Sequence, residues 1–265
     1  MVEYVLQVGK KGFDRLRFLN EIFGKHSRNF VTRTGIGTGA TVLELGCGTG
    51  SMTTWLAETV GTTGRVIAVD ISEKQIEIAR SAVEEARFGN VEFVCSPVET
   101  LEIAEESVDL VYSRFLLMHL KDPLCVLKKL RKYLKQGGII ASEEPHTSSL
   151  ETSPRNKNLQ SLNDLFVKLG ALQGLDFNIG ERLLPLLRSA GYSDLNACFV
   201  QPVISLSKAS EFVLMGAIEI APIAVKCGLV SEREAERVIG ELDEHNIDMD
   251  SYYTFPRQAQ VFGFK

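Results

Sequence analysis

A chain of 265 residues with a formal net charge of −5 is long enough to bury a substantial core in one large domain or two small ones. Its 45% hydrophobic and 24% charged content is that of an ordinary soluble globular protein. The acidic balance gives no general attraction to nucleic acid or anionic lipid. The densest basic cluster, Lys128, Lys129, Arg131 and Lys132, reads as the solvated face of one helix.

Positions 1–14 show no charged-then-apolar leader pattern. The longest apolar run, 212–225, is too short to span a bilayer and carries Glu219 and Pro222. Cys47, Cys95, Cys125, Cys198 and Cys227 have no paired spacing, so neither a zinc site nor a disulfide framework is suggested. No metal is called for, and a cytoplasmic location is the simplest expectation.

In chain order, residues 1–35 carry no strand-like alternation. Positions 14–30 read as a helix, with Leu16, Leu19, Phe23 and Phe30 on its apolar faces. Tyr4 and Arg15 could reach a ligand from this arm, but surface or packing roles are simpler. Residues 42–45 form a buried strand, 51–60 a helix, and 65–69 a second strand ending at Asp70. Ser72 and Gln75 have the spacing of a capping box for the helix that follows. Strands are expected over 91–95 and 108–112, then a helical turn over 116–120. Asp122 caps a helix opened by Pro123, which Gly137-Gly138 should end; a fifth strand starts at Ile139. Short apolar strands alternating with helices predict an α/β, doubly wound parallel sheet covered on both faces.

After Glu144 the alternation breaks. Helices are expected over 158–172, 180–189, 208–226 and 231–245, the last opened by a Ser231/Glu234 capping box. A long strand is expected over 195–206 and a final one over 258–264. This reads as one domain, 1–265. It would comprise a helical arm (1–35), a cofactor-binding core (36–150) and two helical insertions (151–179 and 207–250) forming a substrate lid. No linker or repeat divides it.

The stretch 42–53, VLELGCGTGSMT, organises the chain. A buried strand runs into Glu44, then Gly46, Gly48 and Gly50 open a tight turn into a helix, whose first N–H groups are free to meet a ligand. A dinucleotide turn has the spacing G-x-G-x-x-G, which this one does not; an NAD(P)-dependent oxidoreductase is therefore the second choice. A phosphate-binding P-loop is excluded because no Gly-Lys-Ser/Thr follows.

At these residues the chain resembles the class I S-adenosylmethionine-dependent methyltransferases, of the small-molecule, type 11/12-like kind. Glu44 followed by Gly46, Cys47, Gly48 and Gly50 fits the family's first motif, and Asp70 in VIAVD fits its second. The resemblance covers residues 40–145. It implies a Rossmann-like, seven-stranded, mostly parallel sheet with helices on both faces, and S-adenosyl-L-methionine as cofactor. By the same resemblance Gly46 and Gly48 let backbone approach the methionine portion, and Asp70 accepts the ribose hydroxyls, its bland alternative being a helix cap. The third motif departs from the family, which often has an aspartate near the adenine amino group; here Ser96 or Pro97 stands there, with Glu99 later. Val98 amide and Ile71 contact are expected to hold the adenine, and Ser113-Arg114 to flank the methionine end.

A sulfonium makes its methyl group electrophilic, so such an enzyme mainly aligns an acceptor for in-line displacement. A base is needed only if the acceptor must lose a proton. Above the strand C-terminal ends the candidates are Arg114, His119, Glu143, Glu144 and His146, of which His119, Glu144 and His146 are the expected catalytic or substrate-facing residues. Glu219, inside an apolar helix, either faces substrate or snorkels to water, the latter being favoured. The family's Asn/Asp-Pro-Pro-Tyr signature is missing, so a small-molecule acceptor is expected and nucleic acid and membrane partners are not. A monomer or homodimer is expected. A non-catalytic S-adenosylmethionine-binding protein is the remaining alternative.

Overall fold

A computed structural model describes residues 10–243 and 251–265. Tyr4 and the end of the helix expected to reach 245 lie outside the described residues. The main sheet has seven strands: β1 (Thr41–Leu45), β2 (Arg65–Asp70), β3 (Val91–Cys95), β4 (Val108–Arg114), β5 (Leu134–His146), β7 (Ser193–Val200) and β10 (Arg257–Phe264). Their order is β3-β2-β1-β4-β5-β10-β7. β1 to β5 run parallel, and β10 inserts antiparallel to both β5 and β7. The sheet is thus seven-stranded and mostly parallel, as the sequence predicts.

Alternate residues of the central strands feed two apolar layers, because successive side chains point to opposite faces. Leu43, Ile67, Val69, Val111 and Ile140 face one layer, with Leu127 and Leu130 of α4 (Pro123–Tyr133) and Leu183 and Leu187 of α6 (Leu183–Ser189). Val42, Val66, Ala68, Leu110 and Tyr112 face the other. Phe30 and Val31 of α1 (Lys10–Thr32) and Leu56 of α2 (Ser51–Val60) pack there. Burial on both faces explains why these strands read as continuous apolar runs. The chain leaves β1 toward β2 on one side and returns to β4 on the other, opening a crevice at the strand C-terminal ends.

Over that crevice lie α5 (Lys157–Leu172) and α7 (Leu206–Lys226), with α8 (Glu232–Asp243) packed against them. A small sheet of order β6-β9-β8 accompanies them, built from β6 (Glu151–Ser153), β8 (Val203–Ser205) and β9 (Tyr252–Thr254). Phe23 of α1, Leu159 of α5, Val213 of α7 and Tyr253 and Phe255 form its apolar cluster. This second sheet is absent from the sequence expectations. The single strand expected over 195–206 is in fact β7 and β8, in different sheets, interrupted at Gln201-Pro202. Pro202 has no N–H to continue a ladder, and its carbonyl accepts from Phe255 N.

Two local expectations are corrected. Ser72 stands at the N-cap of α3 (Glu73–Glu85), but its side chain makes no capping bond. The Ser72 amide instead donates to Asp70 Oδ1 at 2.9 Å, so the upstream acid fixes this helix start. Nor does Gly137-Gly138 end α4, which stops at Tyr133. The glycines sit in an irregularity of β5, where pairing jumps from Leu134 to Ile139 opposite Val108 and Leu110, and Gly137 adopts φ 73°. The other caps form as expected: Asp122 accepts from Cys125 N at 2.9 Å, and Ser231 Oγ from Glu234 N at 3.2 Å.

Candidate functional site

A cavity of about 1180 Å3 opens above the C-terminal ends of β1, β2 and β4. Single-ligand pockets run to ~300–1,000 Å3, so this one has room for a cofactor and a second molecule side by side. One half is lined by the glycine turn (Gly46, Cys47, Gly48), Asp70, Ile71 and the segment Ser96 to Val98. The other is lined by Leu19 of α1, Phe212, Gly216 and Glu219 of α7, and Phe255.

The glycine turn is built by positive φ angles, 68° at Gly46 and 54° at Gly48, which a side chain would strain. At Gly48 a Cβ would also press to 3.2 Å from Leu16. Gly50 has a different job. A Cβ there would lie 2.9 Å from the Ala79 Cα, so Gly50 lets α2 and α3 approach, and it does not line the cavity.

Asp70 ends β2 beside that turn. Its Oδ2 accepts from Gly48 N and its Oδ1 from Ser72 N, both at 2.9 Å. Burial raises its pKa, opposed by the backbone N–H groups of Ser72, Gly48 and Ile71. Each oxygen keeps lone pairs for a ligand's hydroxyls. Beneath the turn Glu44 is buried and accepts from Thr53 Oγ1 at 2.6 Å. Burial pushes its pKa up to about 7, against the hydrogen bond from Thr53 and the charge of Arg114. Ile71 is exposed and Val98 buried on the cavity wall, with Pro97 next to it.

A buried polar network supports the floor. Glu143 accepts from Tyr112 OH at 2.6 Å, Gln260 Nε2 at 2.7 Å and Ser27 Oγ at 3.1 Å. Arg114 donates to Ser27 Oγ at 3.0 Å and so ties α1 to β4. Burial raises the Glu143 pKa, and the Arg114 charge opposes the rise. The Ser113 and Ser142 hydroxyls share a 2.8 Å hydrogen bond; Ser113 is off the cavity surface, whereas Arg114 is on it.

The three residues expected to act on a substrate part company. His119 lines the cavity with its ring edge against Phe177. Burial, helped by the Arg15 charge, lowers its pKa to about 4, so its imidazole is neutral near pH 7. Glu144 is fully buried away from the cavity lining. Its oxygens accept from the amides of Leu116 (3.0 Å), Leu117 (2.8 Å) and Met118 (3.2 Å). It therefore clamps the 3-10 turn Leu117–His119 that carries His119. Burial lifts its pKa to about 8 despite those three donors. His146 is also off the cavity lining, its Nε2 turned to Glu181 Oε1 at 2.9 Å.

Glu219 does not snorkel. Its side chain is 2% exposed, and Arg15 Nη1 donates to its Oε2 at 2.6 Å. An ion pair supplied from α1 makes burial of a carboxylate tolerable. Both partners line the cavity. A carboxylate amid an apolar helical run was the one signal in the sequence; nothing marked Arg15 as its partner. Gln75, spaced as a capping residue, lines the cavity with its buried Oε1 lacking a hydrogen-bond partner among the described residues. Among those residues no group of three or more His, Cys, Asp or Glu could hold a metal ion, and no helix is long and apolar enough to cross a membrane.

A mostly parallel seven-stranded sheet, a glycine turn after β1 and an acid closing β2 define a Rossmann-like cofactor-binding α/β protein. More narrowly, a methyltransferase domain profile matches residues 36–191, more than half of the chain, and the protein belongs to that methyltransferase domain family. It is 38% identical over 117 residues to a demethylmenaquinone methyltransferase of Lactococcus lactis subsp. lactis, covering 44% of this chain and 46% of that one. It is 31% identical over 169 residues to a demethylmenaquinone methyltransferase of Staphylococcus aureus, covering 63% and 68%. The chain thus spans less than half the length of the first relative and about two thirds of the second. A crystal structure of a putative methyltransferase from Bacillus halodurans superposes with a TM-score of 0.62 at 15% identity, over 90% of this chain and 97% of that one; that likeness shows the fold.

Proposed function

We propose that the protein is an S-adenosylmethionine-dependent methyltransferase acting on a small-molecule acceptor by in-line displacement. The observation that carries this reading is the joined cavity, polar and acid-ended on the sheet side and apolar under the inserted helices. S-adenosylmethionine supplies the electrophilic methyl group at its sulfonium. The residues present suit it: Asp70 keeps acceptor lone pairs beyond its two backbone bonds, and Gln75 offers an unmatched buried oxygen on the same wall.

In this reading Asp70 accepts the ribose hydroxyls, while Gly46, Cys47 and Gly48 admit the methionine portion above Glu44. Ile71, Pro97 and Val98 would give the adenine its apolar contacts, and Arg114 would flank the methionine end. Ser113 and Gly50 act by packing and positioning. Holding the acceptor in line can contribute ~7–11 kcal/mol in well-oriented cases, and a base adds to this only where the acceptor must lose a proton. His119, neutral and on the cavity wall, is placed to hydrogen-bond an acceptor molecule; the burial and Arg15 charge that keep it neutral oppose its taking a proton. Glu144 sets the turn that aims His119, and His146 with Glu181 secures the strand end outside the cavity.

The aromatic and aliphatic acceptor half suits a largely apolar molecule, of the kind named for the Lactococcus and Staphylococcus relatives. Calorimetry with S-adenosylmethionine, S-adenosylhomocysteine and NAD is the direct test. Binding of the first two is expected; binding of NAD alone would sink the reading. A labelled-methyl screen against cell extract then separates an enzyme from a non-catalytic binder.

A further inference from the structure

Helix α7 carries two choices that weaken it, on the same face. Glu219 is buried in the cavity wall with Oε2 held by Arg15, while its Oε1 has no hydrogen-bond partner among the described residues. A buried acceptor atom left unpaired is destabilising. Three residues earlier, which is the same helix face, Gly216 also lines the cavity, and a Cβ there would meet nothing within 4 Å. A mid-helix glycine is unfavourable relative to alanine, and here no packing demands it. Both are explained if the space beside α7 is meant for a ligand, since local rules are broken mainly at functional sites.

The surroundings define that ligand's chemistry. Phe212, Phe255 and Tyr253 line the wall around this position, and such walls favour flat apolar bodies. Arg15 and Glu219 cancel each other's charge, and His119 facing the same cavity is neutral near pH 7. The Glu219 carboxylate is thus balanced by Arg15 and is not a free counter-ion for a cationic acceptor. Glu219 Oε1 is an unmatched acceptor on this part of the wall, so what completes it is an O–H or N–H group.

We infer that Glu219 is a specificity-determining residue of the acceptor half: its free oxygen receives a hydrogen-bond donor of a neutral, largely apolar acceptor that lies along Gly216. Arg15 is the positioning residue that orients the carboxylate and joins α1 to α7 across the cavity. This rests on the methyltransferase reading above, because it takes the other half to be filled by the cofactor.

The test uses the whole protein saturated with S-adenosylhomocysteine and two matched probes, 2-naphthol and 2-methoxynaphthalene. They share a ring system, and only the first has a donor. The protein should bind 2-naphthol at least about tenfold more tightly, the lower end for a hydrogen bond to a charged group. Glu219→Leu should erase that preference with 2-methoxynaphthalene affinity retained. The double variant Arg15→Met/Glu219→Leu removes the pair as a unit, so that no buried guanidinium is stranded, and should behave alike. Gly216→Leu should exclude both probes while S-adenosylhomocysteine still binds. Equal affinities in the unmodified protein, binding of neither probe, or a preference that survives in the double variant overturns the inference. Failure to bind S-adenosylhomocysteine at all instead defeats the methyltransferase reading.

Discussion

Asp70→Asn is the most informative single change in the cofactor half. The two carboxylate oxygens now meet two backbone donors, Gly48 N and Ser72 N, each at 2.9 Å. Asparagine has one oxygen, so whichever way its amide turns, an NH2 group faces one of those N–H groups, donor against donor. The side chain also loses the charge that strengthens hydrogen bonds from ribose hydroxyls. A hydrogen bond to a charged group is worth ~1.5–3 kcal/mol, and one to two such bonds are weakened or lost. The half-buried position argues for the lower part of that range, about 2–3 kcal/mol in all, which is a ~30- to 150-fold loss of affinity. Isothermal titration with S-adenosylhomocysteine reads this directly, with a thermal melt to show that the variant is folded. An affinity within threefold of the unmodified protein would refute the assignment of Asp70 to the ribose.

Three further outcomes follow from the geometry. Gly50→Ala forces a non-glycine residue to φ 81° and sets a Cβ 2.9 Å from Ala79; a loss of ~2–4 kcal/mol in chemical denaturation is expected, and a change under 0.5 would show that α2 and α3 can part cheaply. Tyr112→Phe removes a 2.6 Å donor from the buried Glu143 carboxylate, for an expected loss of ~1–3 kcal/mol by the same method. Glu144 has its pKa lifted by burial from 4.5 to about 8 in the folded protein, so the native state holds a proton that the unfolded chain releases. Its contribution to stability is complete below about pH 4.5 and lost as pH rises toward 8. Glu144→Gln, uncharged throughout, should flatten the fall in melting temperature across that window, and an unchanged slope would contradict it.

The parts of the molecule legible in the sequence are those governed by neighbours in the chain. β1 and β2 are buried on both faces and so announce themselves as apolar runs, and the glycine turn and Asp70 are adjacent in space because one helix and one strand join them. The Asp122 cap is likewise local. What the sequence did not reveal depends on distant partners. Arg15 and Glu219 are 204 positions apart, and neither position shows that the other exists. The three-residue strands β6, β8 and β9 have too little pattern to register, and β6 and β8 are held in their sheet by pairing with β9 between them. Glu144 looked like a catalytic carboxylate because strand ends in such sheets carry them; its capture by three backbone amides depends on how the chain turns after β4. Ser72 and Gln75 had the right spacing for a cap, but Asp70 offered the helix start a better acceptor.

The position of β10 bears on how the protein is made. β7 precedes it in the chain but reaches the sheet only through it, since β10 lies between β5 and β7. At ~5–20 residues per second, β7 and the open edge of β5 leave the ribosome seconds before the strand that joins them. During that interval Ile139, Ile140 and Ala141, later buried, form an unpaired apolar border. A nascent chain at that stage is a template for strand addition by a neighbour, so slowing synthesis between positions 200 and 257 should raise its demand for chaperones more than slowing it earlier.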